Sequence, residues 1–330
     1  MEQDIKNQQP LMVTIRCIAY NQEAYIRDCL EGFVMQMTNF RFEAIVHDDA
    51  STDETAAIIK EYAEKYPDII KPILETENQY SKHDGSLGRI MDEHAHGKYV
   101  AFCEGDDYWI DPLKLQKQVD FLESHPDYSM CWTDAYQDSN GNKKAYIRYP
   151  ADQQSPMEDI IEKGGGFIPT CSIMMRKFVK DAMPTEAKGW FVGDFPIQMW
   201  CGWAGKVWYI KDQTCVYRFM AQGSWTANHS EQTNPKIFFK LYQNEHLMME
   251  AFNKITEYKY NESFERYAAN ITYNQLLFAH AYHLMKPYLL LRKKFGIYTG
   301  KAETLLILGH PHLAKIIQIC YKLRDFLVKR

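Results

Sequence analysis

The sequence lacks the signals of several large protein classes. No run of about 18 apolar residues occurs in the 330-residue chain, so nothing in it reads as a membrane span. The N-terminus, MEQDIKNQQP, is polar and has no signal-peptide core. No G-x-G-x-x-G follows the first apolar run, which sets aside a nicotinamide enzyme. Internal repeats and low-complexity tracts are absent. The eight cysteines (Cys17, Cys29, Cys103, Cys131, Cys171, Cys201, Cys215 and Cys320) contain no C-x-x-C pair and lie mostly in apolar stretches. They read as buried free thiols of a reducing cytosol rather than a zinc site. Net charge is −5, against general nucleic-acid binding. With 46% hydrophobic and 25% charged residues the chain is globular, and disordered, collagen-like and coiled-coil classes are excluded. At about 100–200 residues per domain, the length suits two domains or one large α/β domain with additions.

What is present is alternation. Met12–Ala19, Phe42–His47, Ile69–Leu74 and Lys98–Cys103 read as strands. Between them Glu23–Met37, a segment ending near Tyr66, and Ser86–His96 read as helices, and Pro112 opens a fourth that runs to about Ser124. Four strand–helix alternations in 124 residues predict an α/β sheet with mostly parallel strands. Such sheets bind ligands at the carboxyl ends of their strands. Beyond that point the pattern is mixed. Short strands are expected near Ser129–Tyr136, Ala145–Tyr149, Ser172–Met175, Val207–Ile210 and Thr214–Tyr217. Asn140-Gly141-Asn142 is a turn between the first two. Gly164-Gly165-Gly166 reads as a flexible link, with close approach of backbone to a ligand as the alternative. From Asn234 the pattern is helical, with breaks near Lys286-Pro287, Gly296, Gly300 and Gly309-His310-Pro311.

Three polar clusters fall at predicted strand ends: Ala19-Tyr20-Asn21, Asp48-Asp49 and Glu104-Gly105-Asp106-Asp107. Asp48, Asp49, Asp106 and Asp107 would repel one another unless something positive sits among them. A hard divalent cation, holding one or two of these carboxylates together with diphosphate oxygens, is the natural partner. Tyr20 can offer a ring face to a base, and Asp49 can accept a pyrimidine N–H. Arg89 opens a helix, where a cation suits a bound phosphate or base carbonyl rather than the helix dipole.

V-T-I-x-C-I-A-Y-N at 13–21, F-E-A-I-V-H-D-D-A-S-T-D-E-T at 42–55, G-S-L-G-R at 85–89 and G-K-Y-V-A-F-C-E-G-D-D-Y-W at 97–109 follow in that order. Together they resemble the family 2 inverting glycosyltransferases of the GT-A fold. The resemblance is specific over 12–136, looser to about 230, and absent beyond. It implies a GT-A catalytic domain over 1–230, with a nucleotide-sugar half (12–136) and an acceptor half (137–230), followed by a helical region over 231–330. It implies that Tyr20 and Asp49 hold the base, that Ala19, Asn21 and Arg89 touch the donor, and that Asp106 and Asp107 bind Mn²⁺ or Mg²⁺, Asp106 also meeting the donor. Glu104 stands where the family has aspartate, as the contact nearer the ribose. Arg16 interrupts a strand that normally reads apolar and is expected to face an acid. A general base is needed downstream, and Asp194, in W-F-V-G-D-F-P at 190–196, matches it, with Glu186 as runner-up. Tyr217-Arg218 and the segment Gly223–His229 resemble the part that folds over the donor, which makes Arg218 or His229 a diphosphate or metal contact.

The activity implied is transfer of a sugar, with inversion, from a nucleotide-diphosphate sugar, expected to be a UDP-sugar. The acceptor is expected to be a hydroxyl of a glycan or glycolipid. Trp190, Trp203 and Trp225 are stacking candidates for it, with core packing as the alternative. A non-catalytic sugar-nucleotide or glycan-binding module would not need the metal carboxylates or Asp194. A sugar nucleotidyltransferase would need a basic Gly-rich loop that residues 19–27 (AYNQEAYIR) lack. The expected location is cytoplasmic. Residues 282–330 carry +8, while the other 281 residues carry −13. That basic segment can lie on an anionic inner membrane surface or cap the acidic catalytic domain.

Overall fold

Val13, Ile15, Cys17 and Ala19 are buried, and so are Thr14 and Arg16 between them. A run buried on both faces belongs in the middle of a parallel sheet. The computed structural model, which describes residues 9–188, 190, 193–224, 226–227, 235–310, 312 and 314–315, places it there. Strand β1 is Leu11–Ala19, followed by α1 (Ile26–Val34), β2 (Arg41–Asp48), α2 (Thr55–Lys65), β3 (Ile70–Leu74), α3 (Ser86–His94), β4 (Tyr99–Phe102), β5 (Tyr108–Trp109) and α4 (Lys114–Ser124). Then come β6 (Tyr128–Ser139), β7 (Asn142–Ala145), β8 (Gln153–Ser155), α5 (Met157–Lys163), β9 (Ile173–Arg176), α6 (Lys177–Asp181), α7 (Asp194–Ala204) and β10 (Lys206–Arg218).

The strands form one sheet in the order β3-β2-β1-β4-β9-β6-β10-β5, with β7 on β6 and β8 on β10. The parallel character expected from the βα alternation holds for β3, β2, β1 and β4. Beyond β4 the sheet is mixed: β9 runs antiparallel to both β4 and β6, and β6 and β10 are parallel. The order reverses at β1, whose neighbours are β2 and β4, and that reversal opens a crevice at the carboxyl ends of these strands.

Apolar spacing decides which faces are covered. Ile26, Cys29, Leu30 and Phe33 of α1, Ile58, Ile59 and Tyr62 of α2, and Leu115, Val119 and Leu122 of α4 join alternate β1 residues in one core. Helix α1 lies close on β5: a Cβ on Gly32 would meet the backbone N of Trp109 at 2.8 Å, so the position needs glycine. Arg16 faces an acid as expected, pairing with Asp92 of α3 at 2.9 Å.

The Asn140-Gly141 turn forms as read. Ser139 pairs with Asn142, and both turn residues have positive φ (53° and 86°), the two-residue hairpin geometry. Three expectations fail. The strands expected at 207–210 and 214–217 are a single strand, β10. Its polar Lys211-Asp212 is an irregularity in register rather than a turn, held by Lys117 to Asp212 and by Lys211 N–H to Asp152. The strand expected at 145–149 lies earlier, at 142–145. The Gly164–Gly166 stretch is also no loose link: a Cβ on Gly165 would press on Phe195 Cβ at 3.1 Å.

The chain divides into two compact units. One holds the residues up to Ile160 and Gly165–Glu231; the other holds Ile161–Gly164 and the chain from Gln232. In the second unit α8 (Pro235–Ile255), α9 (Asn261–Tyr267), a π turn (Ala268–Thr272), α10 (Tyr273–Phe278), α11 (Lys286–Lys294) and α12 (Lys301–Ile307) follow one another. Tyr273, Leu276, Met285, Tyr288 and Ile307 make its core. The break read at Lys286-Pro287 is the start of α11, with proline in the first turn, where it costs no hydrogen bond. Gly296 and Gly309 follow α11 and α12 with left-handed φ of 65° and 85°. No described helix is long and apolar enough to cross a membrane. Cys320 lies outside the described residues; the other seven cysteines are free and buried.

Candidate active site

The donor end is assembled by side chains that bind backbone. The loops after β1 and β2 are laced together. Asn21, at φ 52°, receives the Thr52 N–H at 2.8 Å on its Oδ1 and donates its own N–H to Ser51 Oγ at 2.9 Å. Gln22 N–H donates to Thr55 Oγ1 at 2.8 Å, and Asp49 N–H donates to Ala19 O at 2.9 Å. The buried Asp49 carboxylate accepts the N–H groups of Gln79 and Tyr80 at 2.7 and 3.0 Å. Ala19, Asn21 and Asp49 are thus one framework, and Tyr20 stands out of it, 44% exposed. Arg89 is exposed on α3. Its guanidinium donates to Asp84 O at 2.7 Å, and no described contact joins it to Tyr20 or Asp49.

The acidic motif sits beside this framework. Gly105 N–H donates to Ile18 O at 3.0 Å, and Asp107 N–H turns back to Glu104 O at 3.0 Å. A Cβ on Gly105 would meet Ala19 Cβ at 3.0 Å and Gln22 Oε1 at 2.3 Å, so only glycine lets the turn settle against β1. Burial, and then Asp106, push the Glu104 carboxyl up to about 8, with Arg16 opposing and Asp194 adding to the rise. Burial raises Asp106 as well, against the pull of Arg218. Asp107 points inward: it is 2% exposed, and its Oδ1 accepts Arg218 N–H at 2.8 Å. Of the two aspartates read as metal ligands, Asp106 is the accessible one, and Asp107 spends an oxygen on the end of β10.

Arg218 closes this corner. Its Nη1 donates to Asp106 O at 2.7 Å, its Nη2 pairs with Asp28, and its guanidinium lies over the rings of Tyr108 and Tyr25 at 4.3 and 5.1 Å. Asp194 is the first residue of α7. Thr170 Oγ1 donates to its Oδ2 at 2.9 Å, and Phe195 N–H to its Oδ1 at 2.8 Å. Burial raises the carboxyl despite these two bonds.

Other expected residues fall elsewhere. Glu186 is exposed and gives only its carbonyl, to Trp190 Nε1 at 3.1 Å. Trp203 lies nine residues beyond Asp194 on α7, about 13 Å along the helix. Trp225 and His229 lie outside the described residues.

Among the described residues no three His, Cys, Asp or Glu side chains converge as a metal cage. The donor set suits a different arrangement. One accessible carboxylate beside another buried acid fits a small hard cation that takes its remaining ligands from a diphosphate.

Comparison with known proteins agrees with this geometry. Residues 14–182 match the family described as glycosyl transferase family 2. The chain belongs to glycosyl transferase family 2. An uncharacterized Mycobacterium tuberculosis protein, Rv1520, is 36% identical over 238 residues, which are 69% of this chain and 64% of that protein. The chain thus spans somewhat less than two thirds of that relative's length. WfaP of Escherichia coli, a UDP-Glc:alpha-D-GlcNAc-diphosphoundecaprenol beta-1,3-glucosyltransferase, is 33% identical over 113 residues, 34% of this chain and 42% of WfaP. The structure of S. aureus TarS 1-349 with UDP-GlcNAc superposes with a TM-score of 0.66 at 17% identity, over 93% of this chain and 92% of that one. The fold is the GT-A fold of these glycosyltransferases, with a helical C-terminal region.

The family 2 match ends at residue 182, before Asp194 and Arg218. Sequence reading missed Thr170, Asp28, Tyr25 and Tyr108, which hold Asp194 and Arg218 in place. A threonine 24 residues before Asp194 carries no local signal, because loop packing alone brings the two together.

Proposed function

We propose that this chain is an inverting glycosyltransferase that moves a sugar from a UDP-sugar to a hydroxyl of a glycan or glycolipid. The observation that carries the reading is the half-buried Asp194 carboxylate at the start of α7, fixed by the Thr170 hydroxyl and the Phe195 N–H. The donor half is 12–136 and the acceptor half 137–230, with the helical region 231–330 appended. Tyr20 and Asp49 take the base, with Ala19 and Asn21 framing it. Arg89 reaches the donor from α3. Glu104 lies nearest the ribose.

Asp106, backed by Asp107, would hold Mn²⁺ or Mg²⁺. A cation there supplies positive charge to the departing diphosphate. Arg218 fixes the Asp106 carbonyl and the Asp107 carboxylate, so the acidic loop and the end of β10 are set before donor arrives. Asp194 accepts the acceptor hydroxyl proton as that oxygen attacks the anomeric carbon from the face opposite the diphosphate. Asp106 and Asp107 are committed elsewhere, which leaves Asp194 to act as base.

Calorimetry tests the donor assignment. UDP is expected to bind the full chain more tightly with Mn²⁺, and Asp106→Ala to lose that gain. Equal UDP affinity for the variant and parent in Mn²⁺ would sink the metal assignment.

Peripheral contact with an anionic membrane is a second proposal. The outward face of α11 carries Lys286, Leu290 and Lys293 at helical spacing, and Leu290 is 71% exposed. Arg292 and Lys294 contribute less than the sequence suggests. Arg292 is bound to Ala269 O and Thr299 Oγ1 at 2.9 Å each, and Lys294 pairs with Glu265. Flotation with anionic vesicles at low salt is expected to carry the chain upward. A chain that stays behind leaves the basic segment as a cap.

A further inference from the structure

Strands β6 and β7 leave a small open cavity on their hairpin, about 290 Å³, lined by Gln137, Ser139, Asn142, Lys144, Ala145 and Tyr146. We propose that it is an acceptor subsite that binds an anionic saccharide chain, one bearing carboxylate or phosphate groups. The inference rests on the glycosyl-transfer reading above and names the substrate class of that reaction.

The hairpin register builds the lining. Gln137 pairs with Lys144, and Ser139 with Asn142, so these four side chains share one face. Two amides, a hydroxyl and an ammonium can meet sugar hydroxyls and an acidic substituent, and a tyrosine ring can pack on the apolar face of a sugar. The cavity has room for a sugar unit rather than a whole nucleotide sugar. Lys143, one residue away and therefore on the opposite face, lies over the Tyr108 ring at 5.3 Å, just past the acidic motif. The hairpin thus has the cavity on one side and the donor corner on the other.

Tyr146 is fixed from three directions. Its N–H donates to Ala135 O at 2.8 Å, its hydroxyl to Gly166 O at 2.9 Å, and Arg148 covers its ring at 3.4 Å. Arg148 also donates to Gly166 O and Phe167 O at 2.8 and 3.0 Å. Four residues on from Gly166, Thr170 holds Asp194. The cavity lining and Asp194 are thus anchored to one short stretch of chain, Gly166–Thr170.

Charge selects the class of acceptor. Residues 136–148 carry Lys143, Lys144 and Arg148 against Asp138 alone, in a chain whose net charge is −5. Asp138 is engaged with the turn, accepting Gly141 N–H at 2.6 Å. Lys144 is exposed in the cavity lining and makes no ion pair among the described residues. Each bond from such an ammonium to an anion is charge-assisted.

The test titrates the full chain with three probes of matched length: an oligosaccharide containing glucuronate, an oligomer of glycerol phosphate, and a neutral tetrasaccharide. At least one anionic probe is expected to bind about tenfold or more tightly than the neutral one, with the margin shrinking as salt rises. Lys144→Gln is expected to remove that margin while UDP affinity stays at the parent value. Preference for the carboxylate or the phosphate probe identifies the source of the charge. Equal binding of neutral and anionic probes, or a margin that survives Lys144→Gln, overturns the proposal. Loss of UDP binding by the parent chain overturns the transfer reading instead, and the probe comparison still decides what the cavity binds.

Discussion

The two sides of the candidate site handle negative charge in opposite ways. At the ends of β1 and β2, backbone donors reach the acids: Ser51 N–H meets Asp48, and Gln79 and Tyr80 N–H groups meet Asp49. Asn21, Thr55 and Asp53 bind backbone in the same way. A carboxylate so supplied is a building element, and it fixes a shape before any ligand arrives. On the other side, Glu104, Asp106 and Asp194 are half-buried, and burial pushes each toward the protonated form, Asp194 despite its two hydrogen bonds. Acids held that way await a positive charge or a proton. On the proposed reading, the contrast makes the first set scaffold for the donor and gives the chemistry to the second.

Asp194→Asn is the largest expected break of that contrast. It keeps the shape of the side chain and removes its basicity, so transfer should fall by ~10²–10⁴-fold. UDP affinity should hardly move, because the donor framework is closed without it. Transfer rate and UDP calorimetry on the same variant decide this. Near-parent transfer would send the search for a base to another acid.

Two glycines sharpen the comparison on the side of stability. Gly32 lies in the tightly packed donor half, where an added methyl meets Trp109 backbone at 2.8 and 3.0 Å. Gly32→Ala should cost about 1–3 kcal/mol, since backbone on both sides resists the shift. Gly141 has open space around it, and only its φ of 86° opposes a side chain. Gly141→Ala should cost about 1 kcal/mol. Urea unfolding of both variants measures the difference. A larger loss at Gly141 would mean that the hairpin, not the α1–β5 contact, is the tighter element.

The same contrast explains what could be read from the sequence. Residues 12–124 were legible because each strand and helix there announces itself locally. Apolar runs of fixed length alternate with helical spacing, and the Asp49 and Asp106 clusters fall at strand ends by that alternation alone. The later half mixes parallel and antiparallel strands, and its pairings join distant segments. Lys211-Asp212 looks like a turn and is an irregularity within β10, because Lys117 and Asp152 support it from other elements. Gly165 looks like a link and is a packing contact with Phe195. The inward turn of Asp107 toward the Arg218 N–H was not legible either: spacing counts carboxylates, but only packing shows which one turns inward. Arg16, an anomaly in the sequence, has its reason in Asp92, 76 positions away.

The smallest and most discriminating expectation concerns Thr170. Its hydroxyl donates to Asp194 Oδ2, which favours the ionised carboxylate and partly offsets the burial that raises it. A base must be deprotonated to work, so transfer should fall as pH drops through the raised titration of Asp194. Thr170→Val removes the donor and keeps the volume. The carboxyl should then titrate still higher, and the acid limb of the rate profile should move to higher pH. At a pH above both limbs the rate should fall only about 2- to 10-fold, because the ionised carboxylate keeps the Phe195 N–H as a second donor. Thr170→Ser keeps the hydroxyl and should restore the parent limb. KM for the donor should stay constant through all three chains, since Thr170 touches nothing at the donor framework among the described contacts. A uniform loss of rate with no movement of the limb would make Thr170 a packing residue and would detach it from Asp194.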